Sequence, residues 1–402
     1  MSGALDGVRV LELGVLIAGP FAGRLLADAG AEVIKVEEPG RGDPLREWGQ
    51  LRHEGRPVWW PVQSRNKKLV TLDLHQERGR DLLLRLVERS DVLLENFRPG
   101  TLERWGLGPD DLWRVNRGLV IARISGYGQT GPYASRPGFA VAGEAMGGLR
   151  YINGYPGQAP PRTGISLGDS LAAMFAVQGI VMALYRRETQ PEGDRRGQVV
   201  DASIMESCFA MLESTVPEYG KFGHVRQPSG TSLGNIAPSN VYRSRDGRWI
   251  VIGANSDNLF RRLCAVIGQP ELVDDDRFSS HWSRGQHASE LDEIIAAWVA
   301  QRDAAEVDRV MNDSGIVCGP VYTIADIFQD PQYRARDLLV QMTDPELGTI
   351  VSPGVVPRLS ETPGVLRWTG PWALGSHNRE VYGGLLGLAD GELRSLAEEG
   401  VI

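Results

Sequence analysis

The chain has 402 residues, enough for two ordinary domains, and its 42% hydrophobic and 23% charged residues are typical of soluble globular proteins, which excludes a disordered chain. Its formal net charge of -8 argues against a nucleic-acid groove, which needs a basic stripe, but leaves room for a local arginine cluster that binds a small anion. The three cysteines are far apart and form no CxxC motif, so neither a disulfide framework nor a metal site is predicted.

The first half of the chain alternates strand and helix patterns. Residues 8–13 and 31–36 indicate strands, with an amphipathic helix between them at 21–29. Strand, helix and strand within about thirty residues form a βαβ unit, whose strands are parallel. The alternation continues with strands predicted at 69–74, 91–95 and 119–124 and helices at 76–89 and 109–114. This pattern predicts an α/β fold with a doubly wound parallel sheet.

The composition changes after residue 216. Residues 217–239 are rich in Gly, Pro, Ser and Asn, which is typical of a linker. Beyond them, 240–243 and 249–252 predict a β-hairpin, and helical patterns follow at 259–267, 290–301 and 304–312. We therefore predict a large domain at 1–216, a linker at 217–239, a smaller α/β domain at 240–318, a second linker at 319–338, and a return to the large domain at 339–402.

The sequence carries no pattern typical of a secretion signal or a membrane span. Residues 1–7 lack the basic and apolar regions of a signal peptide. The most apolar stretch, 171–185, is shorter than the roughly 20 residues of a membrane span and contains Gln178 and Gly179. We expect that stretch to be a buried helix, with no membrane partner, and the protein to be cytoplasmic.

Two glycine motifs suggest sites that their context does not favour. Residues 126–131 match GxGxxG after a predicted strand, but a dinucleotide site requires a helix to open from that loop. Pro137 and Gly138 would end such a helix at once, so a glycine turn beside another site is favoured and no nicotinamide is predicted. Residues 164–168 match the GxSxG nucleophile elbow, but the Gly- and Pro-rich segment 157–162 before them is not typical of a central strand.

Asp169 stands at the start of the apolar helix, between Gly168 and Ser170. Aspartate is a common N-cap, which is one interpretation. In the other, Ser170 caps the helix and the Asp169 carboxylate faces a cavity, kept ionised by the positive end of the helix dipole. An ionised carboxylate that is not consumed in capping is what a covalent nucleophile requires. The pattern alone leaves both interpretations open.

The chain resembles the class III CoA-transferases, the group that includes formyl-CoA and carnitine CoA-transferases, essentially from end to end. The resemblance rests on the number and order of short motifs, namely 5–13 (LDGVRVLEL), 18–20 (AGP), 30–37 (GAEVIKVE), 65–68 (RNKK), 95–100 (ENFRPG), 125–132 (SGYGQTGP), 318–321 (CGPV) and 399–402 (EGVI).

The resemblance implies that Asp169 is the catalytic nucleophile and that coenzyme A is a substrate. It places CoA near Ile17, Ala18, Leu72, Leu74, Asn96, Phe97, Arg98 and Arg104. It also implies an interlocked homodimer and a loop of the smaller domain that covers the intermediate, here Gly253, Ala254 and Asn255. Relatives carry an acidic residue after Gly-Tyr or Gly-Phe, close to the nucleophile, whereas this chain has Ala140 at that position. We expect Glu144, one helical turn later, to take over part of the role of that acidic residue.

The substrate class is also suggested by the resemblance. Residues 144–151 and 160–164 are similar to the branch that acts on succinate, malate and similar acids, which implies succinyl-CoA as donor and malate, citramalate or itaconate as acceptor. A second carboxylate in a dry pocket needs a fixed cation, and Arg150 and Arg162 bracket Asp169 in the sequence. The alternatives are an acyl-CoA racemase on the same fold, whose His-Asp pair is replaced here by Phe139 and Ala140, a nicotinamide-dependent oxidoreductase, and a non-catalytic acyl-CoA-binding protein.

Overall fold

The computed structural model describes residues 3–234 and 236–402, so Met1 and Ser2 of the N-terminal segment and Asn235 of the predicted linker lie outside the described residues. The strands are β1 (Arg9–Glu12), β2 (Glu32–Glu37), β3 (Arg52–His53), β4 (Arg56–Pro57), β5 (Lys67–Thr71), β6 (Val92–Glu95), β7 (Val120–Ser125), β8 (Val199–Ser203), β9 (Ser239–Arg243), β10 (Trp249–Gly253), β11 (Val317–Pro320), β12 (Leu339–Asp344) and β13 (Gly348–Pro353). The helices are α1 (Ala18–Asp28), α2 (Trp59–Gln63), α3 (Glu77–Val87), α4 (Thr101–Arg104), α5 (Pro109–Val115), α6 (Ala140–Met146), α7 (Leu167–Glu188), α8 (Ile204–Phe209), α9 (Thr215–Phe222), α10 (Asp257–Val266), α11 (His281–Gln286), α12 (Ala288–Val299), α13 (Ala304–Asp313), α14 (Ile324–Gln329), α15 (Pro331–Ala335), a π-helix (Arg379–Leu385) and α16 (Asp390–Glu398).

The described residues form two units. The first comprises the chain up to Leu149, Arg162–Val216 and Arg334–Ile402, and the second comprises Arg150–Pro161 and Pro217–Tyr333. The segments predicted as linkers contain helices, since α9 extends into the first as far as Phe222 and the second contains α14 and α15. The assignment of residues 150–161 to the second unit was not predicted from the sequence.

The first unit is built on a six-stranded sheet in the order β5-β2-β1-β6-β7-β8. All five strand pairs are parallel, which confirms the predicted parallel sheet. The order reverses between β1 and β6, as in a doubly wound sheet, where ligands bind at the carboxyl ends of the strands. β8 was not predicted from the sequence.

Alternate side chains of each strand enter cores on opposite faces of this sheet. Leu11 and Ile121 belong to the core with α3, α5 and the π-helix, whereas Val10 and Val120 belong to the core with α1 and α7. Strands buried on both faces require continuous apolar runs, which explains why their positions are recognisable in the sequence.

Helix α7 is longer than predicted. It covers 22 residues, and an 18-residue stretch within it has a mean hydropathy of 1.6, so by length and composition alone it passes the test for a membrane span, as core helices of soluble proteins also do. Its small side chains, such as Ala172 and Ala176, are fully buried against the sheet, but Met174, Met182 and Tyr185 are exposed. The expectation of a buried helix therefore holds for one face of α7 only.

The second unit contains an antiparallel sheet in the order β11-β10-β9. The predicted hairpin of 240–243 and 249–252 is present, with Asn240 opposite Ile252. Ile250 and Ile252 pack with Phe260 of α10 and Ile295 of α12 in a core of this unit.

Candidate active site

A cavity of about 630 Å³ opens in the first unit at the reversal of strand order. Its walls come from the loops that follow β1, β6 and β7 and from the start of α7. Its lining includes Val15, Leu16, Ile17, Ala18, Trp48, Asn96, Phe97, Arg98, Gly126, Arg136, Phe139, Arg162, Ser166 and Asp169. Five of the residues predicted to bind CoA (Ile17, Ala18, Asn96, Phe97 and Arg98) thus share one cavity with Asp169.

Asp169 lies in the first turn of α7, not at its cap. The helix begins at Leu167 with Ser166 as N-cap. Ser170 donates its hydroxyl to the carbonyl oxygen of Ser166 at 3.0 Å, so the expectation that Ser170 caps the helix was wrong. Among the described residues, no hydrogen bond to the Asp169 carboxylate is formed. The carboxylate is therefore not consumed in capping.

Glu144 of α6 is fixed beside Asp169. Its side chain is buried, and its Oε1 accepts a hydrogen bond from the backbone N–H of Gly168 at 3.1 Å. Gly168 is required for this approach, because a Cβ there would lie 3.0 Å from Cγ of Glu144 and 2.8 Å from Cγ2 of Ile204. Two carboxylates are consequently held close together at the start of α7.

The pKa of Asp169 is raised to about 6, mainly by burial and also by the negative charge of Glu144, while the positive charge of Arg162 opposes both effects. The positive end of the helix dipole favours the ionised form. In the structure, burial and the neighbouring carboxylate outweigh that contribution. Asp169 is therefore mainly ionised near pH 7 and becomes protonated as the pH falls through about 6.

Three arginines line the cavity. Nε of Arg162 lies 3.5 Å from Oε2 of Glu144, a loose ion pair on a partly exposed side chain. Arg136 stacks on Tyr133, with its guanidinium carbon 3.6 Å from the ring centroid. Within the described part of the chain, neither Arg98 nor Arg136 forms an ion pair with a carboxylate. The cavity thus presents cations that an anionic ligand can engage.

A second cavity, of about 610 Å³, adjoins the same loops. Leu72, Leu74, Phe97 and Trp105 are among its lining residues, and it shares Val15, Trp48 and Phe97 with the first cavity. Leu72 and Leu74 therefore lie where a ligand that extends from the Asp169 cavity would pass. Arg104 lines neither cavity, and its guanidinium donates to the Thr101 hydroxyl at 2.9 Å.

The remaining predicted substrate residues belong to the second unit. Nε of Arg150 donates to the carbonyl oxygen of Pro160 at 3.2 Å. Gly253 ends β10 and Ser256 caps α10, so the predicted covering loop is a short turn of Ala254 and Asn255. Nη2 of Arg284 donates to the Asn255 carbonyl oxygen at 3.1 Å, which fixes this turn.

The two glycine motifs have the contexts expected from the sequence. After β7, the next helix begins only at Ala140, so no helix opens from the GxGxxG loop. Gly126 instead approaches Gly138 so closely that a Cβ there would lie 2.6 Å from the Gly138 Cα. The segment before the GxSxG match contains no strand.

Several lining residues were missed from the sequence. Arg136 and Phe139 lie in a loop without periodicity, and Trp48 follows a short 3₁₀ turn at Pro44–Glu47. Leu16 has a φ of 63°, a conformation that nothing in a leucine residue suggests. Only the cluster of glycines and aromatic residues around 126–139 signalled an irregular segment there.

Comparison with known proteins gives a consistent result. The sequence profile described as CoA-transferase family III matches residues 5–378. Succinyl-CoA–D-citramalate CoA-transferase from Chloroflexus aurantiacus is 52% identical over 398 residues, covering 99% of this chain and 98% of that protein. The β subunit of succinyl-CoA–L-malate CoA-transferase from the same organism is 40% identical, covering 99% and 98%. The crystal structure of a CaiB/BaiF family protein from Brucella suis superposes with a TM-score of 0.83 at 30% identity, covering 96% of this chain and 100% of that one.

Proposed function

Because the chain belongs to CoA-transferase family III and is therefore an enzyme, we propose that it transfers CoA from succinyl-CoA to a small dicarboxylic acid such as citramalate, malate or itaconate. The observation that carries this proposal is the Asp169 carboxylate, which has no hydrogen-bond partner among the described residues and faces a cavity that is also lined by three arginines. Family membership removes the hypothesis of a non-catalytic acyl-CoA-binding protein.

The proposed reaction uses Asp169 as a covalent nucleophile. Its carboxylate attacks the succinyl-CoA carbonyl and expels CoA thiolate, which leaves a mixed anhydride. The thiolate attacks the aspartyl carbonyl, releasing succinate and forming an aspartyl-CoA thioester. The acceptor carboxylate attacks that thioester, and the expelled CoA thiolate then attacks the acceptor carbonyl of the new anhydride. The new acyl-CoA leaves and the Asp169 carboxylate is restored.

The position of Asp169 is suited to this cycle. Each attack places negative charge on a carbonyl oxygen, which backbone N–H groups at the start of a helix stabilise. A pKa of about 6 leaves the carboxylate mainly ionised near neutral pH while retaining more basicity than an ordinary aspartate. In the same proposal, the thioester lies at Asp169 and the pantetheine arm leads from it past Phe97, so that the nucleotide end of CoA lies in the cavity that contains Leu72 and Leu74. Arg98 and Arg136 face anionic groups of the bound ligand.

The preference for a dicarboxylate rests on Arg162. Its guanidinium is held only loosely by Glu144, at 3.5 Å, so a substrate carboxylate that approaches at hydrogen-bond distance can replace that contact. The names of the two Chloroflexus relatives point to the same class of acid. Arg150, in the second unit, remains the other candidate for this role.

We further propose that two chains form the interlocked homodimer implied by the family. The support is the face of α7 that exposes Met174, Val181, Met182 and Tyr185. Exposed apolar patches of this kind are typical of protein interfaces. In the homodimer that the family resemblance implies, a second copy of the chain would cover this face of α7.

The deciding experiment is mass spectrometry after mixing with succinyl-CoA. We expect an adduct on the peptide that contains Asp169, and its absence from the Asp169→Asn variant, which keeps the size of the side chain. Asp390→Asn is the matched control, because Asp390 also lies in the first turn of a helix, α16. Near-normal transfer by Asp169→Asn would refute the covalent mechanism. A screen of donors against acceptors would then identify the acid.

A racemase and an oxidoreductase are distinguished in the same samples. A racemase would exchange the α-hydrogen of a 2-methylacyl-CoA with deuterium from the solvent and form no aspartyl adduct. An oxidoreductase would require added nicotinamide cofactor. We expect neither behaviour.

A further inference from the structure

The loop between β1 and α1 has its backbone held by side chains from other elements. Asn96 accepts the Val15 N–H at 2.8 Å and donates to the Val15 carbonyl oxygen at 2.9 Å. The Leu16 N–H donates to Oδ1 of Asp43 at 3.0 Å, and Nζ of Lys35 donates to the Gly14 carbonyl oxygen at 2.7 Å. The shape of this loop is therefore determined by groups outside it.

These contacts maintain an unusual backbone conformation at Leu16. Its φ of 63° is in the left-handed region, where a leucine side chain crowds its own backbone. Such a conformation persists only where the surroundings enforce it. The Leu16 N–H has Asp43 as its acceptor, and this hydrogen bond is the contact that fixes the orientation of the strained peptide.

Asp43 is oriented in turn by buried charges. Its Oδ1 accepts the N–H groups of Leu16 and Leu45, while its Oδ2 lies 2.8 Å from Nζ of Lys35. Lys35 also contacts Glu12 at 3.2 Å, and the other oxygen of Glu12 lies 2.7 Å from Lys67. All four side chains are fully buried (0% exposed), and Lys35 and Asp43 lie directly behind the wall of the second cavity.

The loop lies where the two cavities meet. Val15 lines both, and Leu16, Ile17 and Ala18 line the one that contains Asp169. A ligand that extends from one cavity to the other must pass this loop. A change in the Leu16 peptide would therefore alter the passage without touching Asp169.

We propose that Asp43 is a positioning residue for acyl-CoA, since it holds the Leu16 peptide in the left-handed conformation that preforms the wall between the two cavities. This inference rests on the proposed CoA site. When a binding-competent shape is only partly populated, the apparent dissociation constant rises by the inverse of its population. Loss of the Asp43 contact should therefore weaken the binding of CoA and leave the free acid unaffected.

Asp43→Asn tests this directly. The amide oxygen would turn towards the Lys35 ammonium group, so the amide NH2 would face the Leu16 and Leu45 N–H groups. Because all of these groups are hydrogen-bond donors, the two hydrogen bonds to residue 43 would be lost. We expect the dissociation constant of CoA, measured by titration calorimetry, and the KM for acyl-CoA to rise about tenfold. The KM for the free acid should stay unchanged. Leu16→Gly in the Asp43→Asn background should recover part of the affinity, because glycine adopts a positive φ readily.

The matched control is Asp28→Asn. Asp28 is also buried and ion-paired, with Oδ2 2.6 Å from Nη2 of Arg65, but it lines neither cavity. We expect Asp28→Asn to lower the melting temperature without changing CoA affinity.

Should Asp43→Asn fail to fold, Leu16→Val provides the same test, since a β-branched residue disfavours positive φ more strongly. Unchanged CoA affinity in a folded Asp43→Asn or Leu16→Val variant, or an equal loss in Asp28→Asn, would overturn the inference. Failure of the unmodified chain to bind CoA would instead refute the proposed function.

Discussion

Asp169 and Glu144 form a pair of carboxylates in which one charge affects the protonation of the other. Glu144 is fixed by the Gly168 N–H, so it cannot turn away from Asp169. Arg162 faces the pair from the cavity side and favours the ionised form of Asp169. The protonation of Asp169 is therefore adjustable by substitutions that leave the nucleophile itself intact.

The first prediction concerns the pH dependence of transfer. Because the nucleophile must be ionised, kcat/KM should fall about tenfold per pH unit below the pKa of Asp169, which lies at about 6. Glu144→Gln keeps an oxygen acceptor for the Gly168 N–H but removes the like charge, so it should move the inflection to lower pH. Arg162→Gln should move it to higher pH. Rates from pH 5 to 8 would measure both shifts, and a common direction would contradict the assignment.

The second prediction concerns substrate choice. Arg162→Gln should raise the KM for succinate or citramalate by about tenfold or more, because it removes a charge-assisted hydrogen bond to the distal carboxylate. Acetate, which has no second carboxylate, should keep its KM. Arg150→Gln is the parallel variant for the second unit. If the unmodified enzyme uses mono- and dicarboxylic acids equally well, neither arginine has the proposed role.

At the scale of elements, the C-terminal segment protects the edge of the large sheet. β5 is an edge strand, and its free side is bonded by two adjacent side chains. Nδ1 of His377 accepts the Leu69 N–H at 3.0 Å, and Oδ1 of Asn378 accepts the Thr71 N–H at 2.9 Å. The His377 N–H also donates to the Leu69 carbonyl oxygen at 2.9 Å. The segment therefore satisfies an edge that would otherwise be open to pairing with another strand.

The third prediction follows from His377. Burial lowers its pKa below the usual value; Glu380 opposes this effect and Lys68 reinforces it. The unfolded chain therefore takes up the proton first as the pH falls. The contribution of the neutral imidazole to stability is complete above the unfolded pKa of about 6.5 and is lost as the pH falls through the folded pKa.

The variant His377→Asn offers an acceptor that does not titrate. The difference in unfolding free energy between the unmodified chain and this variant should change by about 1 kcal/mol between pH 7.5 and pH 5, with the unmodified chain losing more. Urea titrations at several pH values would measure it. A difference that stays constant with pH would show that His377 does not titrate on unfolding.

The elements that were predicted from the sequence are those whose signal is local. β1, β2, β5, β6 and β7 each contain two or more adjacent apolar residues that are buried, so their positions follow from composition. Helix α7 begins earlier than predicted, at Leu167, because Gly168 is tolerated inside the first turn where Glu144 and Ile204 leave no room for a side chain. β8 was missed because it contains Asp201, whose carboxylate accepts the Gln129 N–H, a contact visible only in the fold.

Some residues of the candidate site were predicted from the sequence and others were not. Asp169 and the loop after β6 were identified through the family resemblance, not through periodicity. The left-handed Leu16 and the buried pairing of Lys35 with Asp43 depend on contacts between residues far apart in sequence. No local pattern encodes such contacts.

At the scale of the whole molecule, α7 presents an unusual surface. Its small side chains are buried against the sheet, whereas its large apolar side chains Met174, Met182 and Tyr185 are exposed. The sequence showed the apolar character of this helix but not its orientation. If a partner chain covers this face, these side chains are buried in the dimer, which would explain why they are apolar.

The last prediction tests the proposed homodimer and its interlocking separately. We expect the chain to sediment as a dimer, and Met182→Asp to destabilise that dimer, because an interface would bury an unpaired charge. Met182→Leu, which conserves volume, should leave the dimer intact.

In an interlocked dimer each chain passes through its partner, so folded subunits cannot exchange. Tagged and untagged dimers that are mixed and diluted to nanomolar concentration should therefore give no mixed dimer, and mixed dimers should appear only after the two chains are unfolded and refolded together. Free monomer on dilution, or exchange without unfolding, would exclude interlocking even if the dimer itself is real.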